Sequence, residues 1–111
     1  MTTPHIYSNS SVEWFAATDP SDLERIVRAY LPEGGIEDED EIREYLSDFS
    51  QDADGKAMSV TYEQAGELPS ALPDGATFHG LRVAATNKAW AAWACAQGTH
   101  WEARLVASTN Y

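Results

Sequence analysis

Cysteine, basic residues and long apolar runs are all scarce in this sequence of 111 residues. The one cysteine, Cys95, cannot form an internal disulfide, and it excludes a metal site built from paired cysteines. No apolar run approaches the roughly 18–20 residues that a membrane-spanning helix needs. The first residues also lack the basic stretch and apolar run of a secretory signal. We therefore expect a cytoplasmic protein with no membrane partner.

Acidic residues outnumber basic ones by 18 to seven, which gives a net charge of −11. Residues 1–55 carry 14 acids and three bases, whereas residues 56–111 carry four of each, so the whole excess lies in one half. Direct nucleic-acid binding is disfavoured, because it requires bases that neutralise phosphates. Docking on an anionic membrane is disfavoured for the same reason. The charge favours a basic protein as the partner.

Aromatic residues are plentiful, with four Trp, five Tyr and three Phe, and they predict a packed core rather than disorder. The length fits a single domain, residues 1–111. Periodicity predicts an α+β fold with a four-stranded, mostly antiparallel sheet and about three helices in the order β-α-α-β-β-α-β. The predicted strands are residues 12–18, 56–63, 77–86 and 100–109. In the first strand, Val12, Trp14 and Ala16 share one face.

Three helices are predicted from apolar spacing and from capping residues. The first follows an Asp19 cap with Pro20 at its first position, and it ends at Pro32. Its apolar face is Leu23, Ile26, Val27, Tyr30 and Leu31. The second begins within the acidic run with Asp38 as its cap and ends near Ser50. Its apolar face is Ile42, Tyr45, Leu46 and Phe49. The third covers residues 88–97, after a cap at Thr86 or Asn87.

The sequence Asp52-Ala53-Asp54-Gly55 resembles part of an EF-hand calcium loop. With Asp52 and Asp54 at the third and fifth loop positions, the glycine falls correctly at the sixth. The first position is then Ser50, and the twelfth is Thr61 rather than the bidentate glutamate that calcium requires. The alternative interpretation is an Asp-Gly turn that joins a helix to a strand.

Groups that could activate one another for catalysis are dispersed along the chain. The histidines are His5, His79 and His100, and the last two would approach each other only if their strands were neighbours. Cys95 lies in an alanine-rich helix, where a small apolar role is expected. Trp90 and Trp93 share a helix face and are expected in the core, although an exposed pair would make good interface anchors.

The acidic residues concentrate in residues 33–54, which hold ten acids and the single base Arg43. A run of charge usually keeps a protein soluble and has no specific partner. Here, however, the second helix would fix the acids on a rigid surface whose apolar side packs on the core. Such a surface can imitate a nucleic-acid backbone to a protein that binds phosphates through Lys and Arg.

The stretch Lys88-Ala89-Trp90-Ala91-Ala92-Trp93-Ala94, with Gly98 and the ending Leu-Val-Ala-Ser-Thr-Asn-Tyr at residues 105–111, resembles the ends of short acidic proteins encoded by bacteriophages. The sequence Glu13-Trp14-Phe15 followed by a helix with several Asp residues is similar to their beginnings. The resemblance covers the two ends of the chain and points to no specific inhibitor family. It implies a phage origin and a bacterial host cytoplasm. Small acidic phage proteins include anti-CRISPR and anti-restriction inhibitors, some of which are DNA mimics.

Three hypotheses follow. The leading one is a non-enzymatic inhibitor, of the anti-CRISPR or DNA-mimic kind, that binds a basic nucleic-acid-binding protein such as a CRISPR effector subunit or a restriction enzyme, without a cofactor or metal. Its predicted partner-binding residues are Glu37, Asp38, Glu39, Asp40, Glu41, Glu44 and Asp48. The second is a small enzyme or metal-dependent accessory protein that uses His79, His100 or the Asp52–Asp54 turn. The third is a phage structural or assembly protein with Trp90 and Trp93 at an interface.

Overall fold

Seven β-strands and four α-helices make up the computed structural model, which describes residues 3–9 and 13–108. The strands are β1 (His5–Asn9), β2 (Glu13–Ala17), β3 (Phe49–Gln51), β4 (Ala57–Thr61), β5 (Thr77–His79), β6 (Arg82–Thr86) and β7 (Leu105–Ser108). The helices are α1 (Pro20–Tyr30), α2 (Glu39–Ser47), α3 (Asn87–Gln97) and α4 (Trp101–Arg104), with 3-10 turns at Leu31–Gly34 and Ala65–Glu67. Within these residues, every helix is too short or too polar to cross a bilayer.

The α+β fold is confirmed, but its strands form two antiparallel sheets rather than one sheet of four strands. The larger sheet has the order β3-β1-β2-β7, and the smaller one has the order β4-β6-β5. The expected order missed β1 and β3 and treated β5 and β6 as one strand. The predicted strands 12–18 and 100–109 extend to Val12 and Thr109, which lie outside the described residues.

Helices cover both faces of the larger sheet, and this arrangement divides the core into two clusters. On one face, Tyr7, Phe15 and Ala17 pack against the apolar sides of α1 and α2. On the other face, Ile6 and Ala16 pack against α3, which also contacts the smaller sheet. Because both faces of β2 are covered, the chain buries consecutive residues there, and the period-two pattern expected of a half-exposed strand is lost.

The predicted caps are confirmed at all three long helices. Asp19 accepts a hydrogen bond from the Asp22 N–H, and Pro20 opens α1. Asp38 accepts from the N–H groups of the first turn of α2. Thr86 rather than Asn87 caps α3, since its hydroxyl accepts from Ala89 N at 3.1 Å.

The predicted strand 77–86 is a hairpin of β5 and β6. His79 pairs with Arg82, which leaves Gly80 and Leu81 as a two-residue turn. Gly80 adopts a φ of 60°, a left-handed conformation that a side chain would disfavour. The alternation of residues on either side of this glycine looks continuous in the sequence, so periodicity alone does not reveal the turn.

The predicted strand 100–109 begins instead with a helical turn, α4, and only β7 is extended. His100 caps that turn. Two side chains of the turn are spaced i, i+3, so both can pack inward on the same side. Trp101 stacks edge-on against Tyr30 at 5.0 Å, and Arg104 donates to Asp22 at 2.9 Å. An extended strand would direct Trp101 and Arg104 to opposite faces, so the helical turn satisfies both contacts with α1.

The second helix ends at Ser47 rather than near Ser50, because the next residues form β3. Phe49 continues the helical spacing of the apolar face and therefore suggested a longer helix. In the structure it pairs with Asn9 of β1, and its ring packs against Tyr45 at 5.4 Å. Phe49 therefore packs against the core as expected, but it belongs to a strand and not to the helix.

Candidate functional site

The seven predicted partner-binding acids are all exposed, and we call them the acidic face. They follow one another along α2 and the residues that flank it. Glu37 precedes the helix, Asp38 caps it, and Asp48 ends it. The other four, Glu39, Asp40, Glu41 and Glu44, lie within α2. The structure thus gathers on α2 and its flanking residues the acids that the sequence assigned to one surface.

The opposite side of α2 fixes the acidic face to the core. Ile42 is buried among side chains of α1 and the larger sheet, and Tyr45 and Leu46 pack against the same cluster. Asp38 Oδ1 accepts from Asp40 N at 2.8 Å, which orders the first turn. These contacts hold the acids at defined positions, with Glu41, Glu44 and Asp48 about one helical turn apart from each other along the axis.

A buried carboxylate, Glu13 on β2, connects the sheet to both α1 and α2. Only 3% of Glu13 is exposed. Its two oxygens accept hydrogen bonds from the hydroxyls of Tyr30 on α1 and Tyr45 on α2, and Asn9 Nδ2 donates at 3.2 Å. A carboxylate at this depth needs such donors because it has lost its water. Glu13 therefore helps to set the orientation of α2.

Both tyrosines of this cluster remain protonated donors well above neutral pH. Burial, followed by the hydrogen bond and negative charge of Glu13, raises the pKa of Tyr30 to about 12. The same causes raise the pKa of Tyr45 further. The cluster was not anticipated from the sequence. The signal was available, because Glu13 shares the period-two face of Phe15 and Ala17, both fully buried.

Among the residues that the structure describes, Glu39 is the one member of the acidic face that is paired with bases. Both of its oxygens accept from Arg28 of α1, at 2.8 and 2.9 Å, and Arg43 Nε lies 3.3 Å away. The hydrogen bond from Arg28 is the largest cause that lowers the pKa of Glu39 to about 2. Since the group is exposed, this fork aligns α1 with α2 rather than adding much stability. Arg28 had no assigned role in the sequence.

Six acids of the acidic face have no ion-pair partner among the described residues. Because Asp38 is engaged as the helix cap, five carboxylates remain unpaired: Glu37, Asp40, Glu41, Glu44 and Asp48. Glu41, Glu44 and Asp48 are spaced i, i+3 and i+7, so they project from one side of α2. Together with Tyr45 and Ile36 they line a shallow cavity of about 270 Å³. The face therefore combines several free carboxylates with an apolar floor.

Asp52 and Asp54 connect the turn after β3 to β1. Asp52 accepts from the Ser8 hydroxyl at 2.9 Å, and Asp54 lies 2.9 Å from His5 Nδ1. Asp54 and Gly55 form a turn, as in the alternative interpretation of this sequence as an Asp-Gly turn. Thr61, the twelfth position of the calcium loop, lies in β4. Within residues 3–9 and 13–108, no three His, Cys, Asp or Glu side chains are grouped as a metal site would require.

The remaining candidates for chemistry lie on separate elements. His79 ends the exposed strand β5, whereas His100 caps α4, so the two do not lie on neighbouring strands. Cys95 is half-buried in α3, and burial raises the pKa of its thiol, which disfavours the reactive thiolate.

The tryptophans of α3 belong to the core, as expected. Trp90 is 0% exposed, and its indole N–H donates to the Met58 carbonyl at 2.9 Å. Trp93 is half-buried, donates to the Ala71 carbonyl at 2.8 Å and meets Trp90 edge-on at 5.4 Å. Trp90 is therefore not available as an interface anchor, which the structural or assembly hypothesis requires.

Comparisons with protein-family models, with curated proteins and with solved structures find no match to this chain. The chemistry of the acidic face then has to be argued from its own groups. Carboxylates accept charge-assisted hydrogen bonds from Lys and Arg, and a planar guanidinium can bind two oxygens at once. Five unpaired carboxylates on α2 and the residues that flank it could bind several bases of a partner simultaneously.

Proposed function

We propose that this protein is a non-enzymatic inhibitor that uses its acidic face to occupy the nucleic-acid-binding site of a basic protein. The observation that carries the proposal is the set of five exposed, unpaired acids on α2 and the residues that flank it, a helix that is anchored to the core. An unanchored acidic run would lose conformational entropy on binding, whereas an ordered helix presents its charges already in place.

The positions of two acids support a role beyond solubility. Glu44 lies in the second half of α2 and Asp48 is its C-cap residue, where the helix dipole is negative. The last turn carries no base to offset them. Acids there destabilise the helix, and exposed sites elsewhere would give the same solubility without this cost. A partner rich in Lys and Arg would convert the unfavourable placement into binding energy.

The most concrete form of the proposal is a phage protein of the anti-CRISPR or anti-restriction kind, active in the cytoplasm of a bacterial host. Its partner would be a CRISPR effector subunit or a restriction enzyme. Such proteins bind the phosphate backbone through clusters of Lys and Arg. The acidic face would compete for those bases without itself contacting nucleic acid.

Two variants with equal net charge test whether the position of the acids matters. The first, Asp40→Asn/Glu41→Gln/Glu44→Gln, removes three charges from the acidic face and leaves the Asp38 cap and the Arg28–Glu39 fork intact. The second, Glu67→Gln/Asp74→Asn/Glu102→Gln, removes three exposed charges from the other half of the chain. Circular dichroism and thermal melting would show that both variants are folded.

The measurement is capture of proteins from bacterial lysate on immobilised wild type and on each variant, at low and high salt. We expect wild type and the second variant to retain a nucleic-acid-binding protein that high salt or a short DNA duplex releases, because charge pairing is screened by salt. The first variant should lose it. Equal capture by both variants, or a complex that duplex DNA does not displace, would contradict the proposal.

A further inference from the structure

Two edge strands, one from each sheet, border a groove outside the acidic face. Strand β4 ends the three-stranded sheet and β7 ends the four-stranded one. Between them lies a cavity of about 560 Å³, whose walls include Ser59 and Thr61 of β4, Val106 of β7, and the half-buried aromatic rings of Trp14 and Tyr62.

The register of β4 shows which backbone groups face this groove. Tyr62 N donates to Leu81 O at 2.8 Å, and Asn87 N donates to Lys56 O at 2.8 Å, so Tyr62–Leu81 and Lys56–Asn87 are hydrogen-bonded positions of the ladder. In an antiparallel ladder the bonded pairs alternate with unbonded ones. Ser59 and Thr61 occupy the unbonded positions opposite Ala84 and Arg82. Their N–H and C=O groups therefore point away from β6.

The opposite wall offers less for backbone pairing. Trp14 pairs with Ala107 and Phe15 pairs with Leu105, which makes Val106 an extra residue in a β-bulge. A bulge on an edge strand interrupts its row of donors and acceptors. The wall at β7 therefore supplies apolar contact, mainly through Val106, while the wall at β4 supplies hydrogen bonds.

The size of the groove suits one short extended segment. A residue in a β-strand spans roughly 3.3 Å along the strand, 4.8 Å between strands and 10 Å between layers, or about 160 Å³. The groove would hold about three to four such residues. An occupant that pairs with Ser59 and Thr61 would extend the smaller sheet by one strand, in the manner of β-augmentation.

We propose that this groove binds an extended segment of another protein, one with apolar residues at alternate positions and with Lys or Arg between or beside them. Charge favours that chemistry, because Glu63 is the charged residue of the lining. The net charge of the chain, −11, opposes a second copy of this chain as the occupant. The proposal does not depend on the function proposed for the acidic face.

The probe is a displayed library of random peptides of about ten residues, a length that covers most strands, selected on the full chain. We expect enrichment of sequences that alternate β-branched or aromatic residues and contain Lys or Arg. A synthetic copy of an enriched peptide should slow amide hydrogen exchange at Ser59 and Thr61. Failure to enrich any sequence, or enriched peptides that leave these two amides unprotected, would overturn the proposal.

A matched pair of variants at one position provides the second test. Ser59→Pro removes an N–H that faces the groove and leaves the ladder with β6 intact, whereas Ser59→Ala keeps that N–H. We expect the proline variant to weaken peptide binding about tenfold and the alanine variant to bind like wild type. Light scattering measures the oligomeric state. A wild-type dimer that Ser59→Pro abolishes would overturn the proposal, because a second copy of this chain would then occupy the groove. The hydrogen-exchange result on wild type stands even if Ser59→Pro fails to fold.

Discussion

A carboxylate as deeply buried as Glu13 is unfavourable unless donors replace its lost water. Tyr30, Tyr45 and Asn9 are those donors, and they come from three different elements. Loss of one donor therefore leaves a buried charge partly unsatisfied, and it also releases one contact between elements. The orientation of α2, and with it the acidic face, depends on this set of hydrogen bonds.

The variant Tyr45→Phe removes one donor to Glu13 with almost no change in shape. We expect it to lower the free energy of unfolding by about 1–3 kcal/mol, the cost of a buried acceptor that loses its partner. Urea unfolding measures the change. The same substitution at Tyr62, which has no hydroxyl partner in residues 3–9 and 13–108, should cost less than about 0.5 kcal/mol. Equal losses at both positions would show that Glu13 does not depend on Tyr45.

The sequence contained part of this cluster. Period two in β2 places Glu13 on the face of Phe15 and Ala17, and helical spacing places Tyr30 and Tyr45 on the inner faces of their helices. The sequence could not show how the helices are arranged on the sheet. Only the positions of α1 and α2 across the larger sheet bring the three side chains together. Val12, Trp14 and Ala16 were assigned to one face, and the opposite face contains the buried acid.

At the scale of elements, α2 carries acids at both ends, and its dipole makes their effects opposite. Asp40 in the first turn stabilises the helix, whereas Asp48 at the C-cap destabilises it. Helix stability alone would favour Asp40 and disfavour Asp48. The acids at the C-terminal end of α2 are therefore the part of the acidic face that helix stability does not explain.

Single neutralisations at the two ends of α2 test this asymmetry. We expect Asp48→Asn to raise the free energy of unfolding by about 0.5 kcal/mol and Asp40→Asn to lower it by a similar amount. Both effects should shrink when salt is raised, because these charges are exposed. Thermal or urea unfolding at low and high salt gives the measurement. A loss of stability from Asp48→Asn would remove this support for the proposed function.

Elements were predicted best where a local signal defined them. Asp19 with Pro20, Asp38 and Thr86 were each identified as a helix start or as an alternative for one, and the apolar faces of α1 and α2 pack against the core as expected. Elements defined by distant contacts were missed. Strand β1 is short, partly polar and buried between β2 and β3, and α4 exists because Trp101 and Arg104 both contact α1.

At the scale of the whole molecule, a buried ion pair joins α1 to α4, a helix that is distant from it in the sequence. Arg104 is nearly buried, and it donates to Asp22 as well as to the carbonyls of Gly98 and Ala16. Burial tends to raise the pKa of Asp22. Hydrogen bonds from Thr18 N–H, Arg25 and Arg104 outweigh that effect and lower the pKa to about 2. The ionised form of Asp22 is therefore favoured in the folded state.

Because the pKa of Asp22 is lower in the folded chain than its ordinary value of 3.8, its contribution to stability is complete above about pH 4. That contribution, about 2 kcal/mol, is lost as the pH falls toward 2. Glu39, whose pKa is also lowered to about 2, acts in the same direction. Urea unfolding between pH 7 and pH 2 should therefore show that the free energy of unfolding declines as the pH falls from about 4 toward 2.

The variant Asp22→Asn isolates the contribution of the ion pair from that of the other acids. At neutral pH we expect it to lower the free energy of unfolding by about 3 kcal/mol, because the buried guanidinium of Arg104 loses its counter-charge. As the pH falls from about 4 toward 2 the difference from wild type should narrow, because Asp22 becomes protonated first in the unfolded chain and then, near pH 2, in the folded one. The exposed control Asp74→Asn should follow the wild-type curve. A difference between Asp22→Asn and wild type that stays constant from pH 7 to pH 2 would mean that the ionisation of Asp22 is not what joins α1 to α4.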